Sequence, residues 1–294
     1  MNSKTFDEIR SISVIGAGIM GSGIAHVAAT GGYRTLLYDI SKEMLSKAQN
    51  QIRQNMEKGV QLGKMSQAEM DVALTNLSVC EDLPAACGSD FIIEAVPESV
   101  ELKIKTFVAL NERAAPHVIF ASNTSGLSIT EIAGSSGRPD RVIGMHFFNP
   151  VHKMKLVEII RGLETSEETF AATEAVSKRM GKETVAVNES PGFVTSRINA
   201  LIGNEAFYML QEGVASAADI DKALKLGLNH PMGPFEMVDL VGLDTRLSIL
   251  TYLHQTLGEK YKPCPLLVKY VKAGRLGRKV GKGVYEYGNE KRKA

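Results

Sequence analysis

The chain has 294 residues, about two domains' worth, and its 44% hydrophobic content rules out a disordered chain or a small disulfide-stapled scaffold. Its formal net charge of +1 gives no overall pull toward nucleic acid or an anionic membrane surface. The three cysteines, Cys80, Cys87 and Cys264, lack metal-ligand spacing and suit a reducing, cytoplasmic setting.

Met1 to Arg10 mixes Lys4, Asp7, Glu8 and Arg10, with no apolar run before a cleavage site, so no secretory leader is expected. Ser11 to Ile15 reads as a buried strand, followed by glycines and a helix to about Thr30. The stretch from Ile12 to Ala29 is broken by glycines and carries His26, unlike a membrane span. Thr35 to Asp39 is a second strand. Ser41 then caps a long helix whose Leu45, Ala48, Ile52 and Met56 recur at helical spacing. Further strand-like runs are Phe91 to Val96, Val118 to Ser122, Val142 to Phe148, Lys155 to Ile160 and Thr184 to Val187. Strands alternating with helices predict an α/β domain, a doubly wound, mostly parallel sheet covered on both faces.

The rhythm changes at Asn188-Glu189-Ser190-Pro191-Gly192. Beyond it Ile198, Leu201, Ile202, Ala206, Met209 and Leu210 trace a helical stripe. Ser216-x-x-Asp219 has the form of a capping box opening a short helix that Gly227 ends. Pro231 to Pro234 is a turn, with further helices from Phe235, Asp244 and about Pro265. The expected domains are therefore 1–188, with the parallel sheet, and 189–294, all-helical.

Gly16-Ala17-Gly18-Ile19-Met20-Gly21 has the pattern G-x-G-x-x-G between a strand and a helix, and Asp39 ends the next strand eighteen residues after Gly21. In a dinucleotide fold the first glycine permits the tight turn, the second admits a pyrophosphate and the third lets helix and strand pack closely. The pyrophosphate would rest on the amides where the helix begins, near Ile19 and Met20. Asp39 would accept from the adenosine ribose hydroxyls and repel a 2′-phosphate, which favours NAD, with NADP as the alternative. Glu98 and Lys103 follow another strand and suit either the nicotinamide ribose or a surface ion pair. Ser122-Asn123-Thr124-Ser125 ends a further strand and suits either a ligand or an ordinary turn.

Glu158 lies inside the apolar run Leu156-Val157-Glu158-Ile159-Ile160, and a carboxylate there needs a partner. His146, in Gly144-Met145-His146-Phe147-Phe148-Asn149-Pro150, is a natural one. A histidine held by a buried carboxylate keeps one tautomer and stabilises its imidazolium, as a general base for an alcohol proton requires. Beside a nicotinamide, that pair would support oxidation of a secondary alcohol by hydride transfer. No metal motif occurs, so no metal is expected. Lys47 and Lys58, eleven apart on one helical face, with Arg53 and Lys64 nearby, form either a solvated face or a patch for an anionic nucleotide tail.

With these residues assembled, the chain resembles the L-3-hydroxyacyl-CoA dehydrogenase family, and within it the bacterial 3-hydroxybutyryl-CoA branch. The likeness rests on G-A-G-x-M-G-x-G-I-A at Gly16 to Ala25, E-A-V-x-E at Glu94 to Glu98, S-N-T-S at Ser122 to Ser125 and H-F-F-N-P at His146 to Pro150. K-L-V-E at Lys155 to Glu158, P-G-F at Pro191 to Phe193 and N-H-P-M-G-P-F at Asn229 to Phe235 extend it over the whole chain. The resemblance implies His146 as catalytic base with Glu158 as its partner, and Ser125 on the substrate oxygen. Asp39, Glu98, Lys103, Asn123 and Asn149 would surround the NAD, with Lys279 near the same cleft. Lys47 and Lys58 would meet the acyl-CoA substrate, and the helical domain would form a homodimer. Relatives often carry asparagine where Ser196 stands, at the start of that domain's first helix and expected to face the cleft. A basic position of relatives is Leu62 here. Two further readings are a dehydrogenase of a free hydroxy or sugar acid, and a non-catalytic, crystallin-like NAD-binding protein.

Overall fold

The computed structural model describes residues 9–288; Lys4, Asp7 and Glu8, read above for a leader, lie outside them. The chain divides into two compact units, Met1–Ser190 and Pro191–Ala294.

The first unit opens with β1 (Ser11–Ile15), α1 (Ile19–Thr30), β2 (Arg34–Tyr38), α2 (Lys42–Gln61), α3 (Gln67–Asn76), β3 (Leu77–Cys80) and α4 (Leu83–Ala86). It continues with β4 (Phe91–Glu94), α5 (Val100–Asn111), β5 (Ile119–Ser122), α6 (Ile129–Gly134), β6 (Val142–Phe147), β7 (Leu156–Arg161), α7 (Glu167–Arg179) and β8 (Glu183–Asn188). One eight-stranded sheet has the order β3-β2-β1-β4-β5-β6-β7-β8. Neighbours pair in parallel except β6 with β7, which are antiparallel. Winding reverses at β1, which lies between β2 and β4. Ligands bind in such sheets beyond the carboxyl ends of the strands at that switch. Strand residues such as Ile12, Val14, Ile93, Ala121 and Ile143 are buried, as a sheet covered on both faces requires.

The helix expected after Ser41 is α2: the Ser41 hydroxyl accepts from the Met44 N–H, and Leu45, Ala48, Ile52 and Met56 are its buried residues. The elements α3, β3 and α4 were not foreseen. The signal for α3 was its capping box, in which Ser66 and Glu69 satisfy each other's backbone N–H groups. β3 is a four-residue edge strand with only Leu77 buried, too short for a period to show.

The second unit contains α8 (Thr195–Glu212), α9 (Ala217–Gly227), α10 (Pro234–Val241), α11 (Leu243–Leu257) and α12 (Pro265–Lys272) around its own core of Phe207, Phe235, Leu250, Leu253 and Tyr261. The stripe expected on α8 is rotated. Of its members only Ala206 is fully buried, and Ile198 is 55% exposed. The buried side is Ala200, Gly203, Asn204, Ala206 and Phe207. There Phe207 packs edge-on against Phe235 and Tyr270, and a Cβ on Gly203 would stand 2.9 Å from Val238. The unit is helical as expected, and its last described residues form a compact turn. Residues 274–287 turn on themselves through isolated bridges at Gly277–Lys282 and Lys282–Glu286. The glycines 274, 277 and 281 have positive φ, and the buried Asp239 carboxylate accepts from the Val284 and Tyr285 N–H groups and the Tyr287 hydroxyl.

Candidate active site

Four loops of the first unit follow the carboxyl ends of β1, β4, β5 and β6. After β1, Gly16 has φ +104° and its N–H donates to the Tyr38 carbonyl, 2.8 Å away. A Cβ on Gly16 would be 2.7 Å from the Ala95 carbonyl oxygen, and one on Gly21 would collide with the Gly16 carbonyl, whereas a Cβ on Gly18 meets nothing within 4 Å. The first and third glycines are thus required by the protein's own backbone. The second is open toward a ligand. No side chain caps α1 at Gly18, no acidic residue occupies its first turn, and Ile19 there is 75% exposed. These free amides at a positive helix end form a cradle for a pyrophosphate. Asp39 holds the loop: Oδ2 accepts from the Ala17 N–H at 2.7 Å and Oδ1 from the Ser41 N–H at 2.9 Å. Each oxygen keeps a second lone pair for a ribose hydroxyl.

At the ends of β4 and β5, Glu94 and Lys103 form an ion pair of 2.7 Å with both side chains wholly buried. Glu94 also accepts from the Val96 N–H at 2.7 Å and the Ser122 hydroxyl at 2.6 Å. Burial pushes its carboxyl above the usual carboxylate range, against the opposing effects of Lys103, Ser122 and the Val96 amide. The Lys103 side chain is wholly buried. Its ammonium also donates to the Val96 carbonyl at 3.3 Å and sits 3.4 Å from Glu98. Glu98 is half exposed and accepts from the Thr124 hydroxyl at 2.6 Å and the Ser125 N–H at 2.9 Å. Ser125 is exposed; Asn123 is buried, its side-chain oxygen accepting from the Phe147 N–H at 3.0 Å.

β6 and β7 place His146 directly opposite Glu158, and its Nδ1 lies 2.7 Å from Oε2. His146 is 6% exposed and Glu158 1%. Nδ1 donates to the carboxylate, so the neutral ring presents its lone pair at Nε2. The Phe148 ring lies 4.5 Å from the imidazole, centroid to centroid, and Asn149 beyond it is exposed. A base with one defined tautomer, a buried counter-charge and a dinucleotide cradle on one sheet edge equips this face for alcohol–ketone hydride chemistry.

A family profile for the 3-hydroxyacyl-CoA dehydrogenase NAD binding domain matches residues 11–190, and one for its C-terminal domain matches residues 192–287. The chain belongs to the 3-hydroxyacyl-CoA dehydrogenase family. It is 48% identical over 281 residues to a probable 3-hydroxybutyryl-CoA dehydrogenase of Bacillus subtilis, covering 95% of this chain and 98% of that one. Against rat mitochondrial hydroxyacyl-coenzyme A dehydrogenase the identity is 40%, over 95% and 91% of the two chains. The crystal structure of (S)-3-hydroxybutyryl-CoA dehydrogenase from Ralstonia eutropha superposes with a TM-score of 0.94 at 42% identity, covering 96% of this chain and all of that one. Membership of the 3-hydroxyacyl-CoA dehydrogenase family makes NAD the cofactor of the first unit, and the glycine cradle and Asp39 fit it.

The remaining expected residues are on α2 and in the second unit. Lys47 and Lys58 are both exposed on α2, away from its buried stripe. Ser196 occupies the first turn of α8 in the second unit. Lys279, also in that unit, is tied to both carboxylate oxygens of Asp244 at 2.7 Å. Sequence reasoning overlooked Glu94 as a site residue. Its signal was the one used for Glu158, a carboxylate ending an apolar run, here Phe91-Ile92-Ile93.

Proposed function

We propose that the chain interconverts (S)-3-hydroxybutyryl-CoA and acetoacetyl-CoA with NAD, His146 acting as general base in oxidation and general acid in reduction. The observation that carries this is the buried His146–Glu158 pair at the edge that also holds the glycine cradle. Bound NAD supplies the hydride acceptor. The backbone at Gly16, Gly18, Ile19, Met20 and Gly21 would hold its pyrophosphate and Asp39 its adenosine ribose, with Glu98, Asn123, Asn149 and Lys279 toward the nicotinamide. His146 Nε2 takes the 3-hydroxyl proton, and Glu158 stabilises the imidazolium that results. Ser125 and Ser196 would bond the substrate oxygen, and the Lys47 and Lys58 face would meet the CoA phosphates.

The same proposal gives the first unit the cofactor and the CoA phosphates, and the second unit a share of substrate binding through Ser196 and a homodimer contact. The second unit exposes Ile198, Leu226, Leu228 and Leu240, apolar surface that a second copy can bury. A cytoplasmic setting fits the three free cysteines, and the proposed reaction suits a role in fatty-acid or butanoate metabolism. Among the described residues no helix is long and apolar enough to cross a membrane. The deciding experiment is NADH oxidation at 340 nm with acetoacetyl-CoA, repeated with longer acyl chains and with free CoA as competitor. Turnover that falls with chain length and is inhibited by CoA supports the reading; no oxidation with acetoacetyl-CoA overturns it.

A further inference from the structure

Gly23 stands in the glycine-rich segment after β1, yet the cradle accounts only for Gly16, Gly18 and Gly21. Its close neighbour comes from far along the chain. A Cβ on Gly23 would stand 2.8 Å from both Cβ and Cγ2 of Val151, so α1 has room for nothing larger there while that valine is in place. Val151 is 2% exposed and belongs to the turn 149–154 that follows β6. The Pro150 carbonyl closes this turn by accepting from the Lys153 and Met154 N–H groups. Three residues past Gly23, on the same face of α1, His26 stacks on His152 with ring centroids 5.4 Å apart. Lys182, just ahead of β8, reaches the same turn. Its ammonium donates to the Val151 carbonyl and, at 2.8 Å, to the Met154 carbonyl. Lys182 is 6% exposed, and burial draws its pKa down to about 8. Burying a cation is unfavourable unless its donors are satisfied. Here that cation fixes two carbonyls of one turn.

The two ends of this contact belong to the two halves of the site. Gly23 lies three residues past Met20, in the helix whose first turn forms the pyrophosphate cradle, and Val151 lies five residues past His146. β1 and β6, which lead into the cradle and carry the histidine, are separated in the sheet by β4 and β5. The seat of the turn on α1 ties them directly. We propose that Gly23 and Lys182 are positioning residues for hydride transfer: they seat the turn 149–154 on α1, which sets Asn149 and the His146 strand end relative to the cradle. The role rests on the reading that the cradle holds NAD and that His146 is the base. A displacement of about 1 Å between reacting groups is enough to cost about 10²-fold in rate.

The test is an exchange of size across the contact. Gly23→Ala, Val151→Gly, the two combined, and Lys182→Met are compared by Tm, by NADH dissociation constant, and by kcat for acetoacetyl-CoA reduction per NADH-binding site. Gly23→Ala, whose methyl pushes the turn away, should lower kcat roughly 10- to 100-fold, and Lys182→Met comparably. Val151→Gly loosens the seat and should cost about three- to tenfold. In the combined variant the methyl fills space that the valine left, so kcat should return to within about threefold of wild type, a coupling expected of groups in contact. NADH affinity should stay within about threefold throughout, which separates misplacement from a lost cofactor contact. Losses that multiply in the combined variant overturn the proposal, as does a fall in kcat matched by an equal fall in NADH affinity. A lower Tm with wild-type kcat per binding site also overturns it, since the contact would then be structural only. If Gly23→Ala alone does not fold, Val151→Gly against the combined variant decides: adding the methyl must raise kcat. An inactive wild type sinks the activity assignment along with this role, whereas an active wild type with unimpaired variants sinks this role alone.

Discussion

Glu158→Gln isolates the charge of the His146–Glu158 pair while keeping its shape. In the transition state of alcohol oxidation the imidazole acquires a proton at Nε2, and the resulting cation lies against a carboxylate bonded at 2.7 Å with 1% exposure. Unit charges about 4 Å apart at an effective dielectric near 20 attract by about 4 kcal/mol. Glutamine's carbonyl can still accept from Nδ1–H, so part of that survives, and the loss should be roughly 2–4 kcal/mol. In kcat this is about 30- to 1,000-fold. His146→Ala should cost roughly 10²–10⁴-fold, the usual worth of a positioned base. Once the imidazole is gone the carboxylate has no cation to stabilise, so the double variant should lose little more than His146→Ala alone. The assay is steady-state NAD reduction with (S)-3-hydroxybutyryl-CoA, with NADH affinity measured separately to show that the cradle is intact. A Glu158→Gln enzyme within about threefold of wild-type kcat, or fully multiplicative losses in the double variant, would refute the pair as a working unit.

Four other outcomes follow from particular contacts. Because Asp39 sits where the adenosine ribose would lie, NADPH should be used with a kcat/KM about five- to several-hundredfold below that for NADH, a repulsion of roughly 1–4 kcal/mol; equal efficiencies would dispose of that role. Gly18→Ala should fold with little change in Tm yet bind NADH more weakly, whereas Gly21→Ala should lower Tm markedly, since its methyl meets backbone; equal effects on folding would contradict the assigned geometry. His26 is 7% exposed, stacked on His152 at 5.4 Å, and held to a pKa of about 4, first by burial and then by His152 and Lys182. Between about 4 and its ordinary value of 6.5 the unfolded chain binds more protons, so stability falls as pH drops through that window; His26→Gln should flatten the Tm–pH curve there, and an unchanged slope would remove His26 as its source. Reversing the charges of Lys47 and Lys58 together should raise KM for acetoacetyl-CoA but barely affect a short thioester lacking the nucleotide, and added salt should weaken wild-type affinity in parallel; an unchanged KM would leave them as a solvated face.

Much of this protein is legible in its sequence where one local rule acts alone. The glycine spacing after a strand, Asp39 after the next, and a serine cap ahead of Leu45, Ala48, Ile52 and Met56 each follow from backbone geometry or helical period; the structure shows the close backbone at Gly16 and Gly21, the Asp39 bonds to that loop and the Ser41 cap. Glu158 was legible for a different reason: a carboxylate in an apolar strand demands a partner, and the antiparallel register of β6 and β7 supplies His146 opposite it. The same demand applies to Glu94, but its partner comes from α5, nine residues on, where Lys103 has the look of a surface lysine until the fold wraps around it. α8 shows the converse. Periodicity favoured Ile198, Leu201 and Ile202, yet packing chose the side with Gly203 and Asn204, because Val238 approaches too closely there for anything larger than glycine, and the Asn204 amide closes bonds to Lys262 and Cys264. Local chemistry determined where the elements begin and which groups must be satisfied. Tertiary structure decided which neighbours satisfy them, because burial and charge pairing depend on residues far apart in the chain, whose meeting no local pattern encodes.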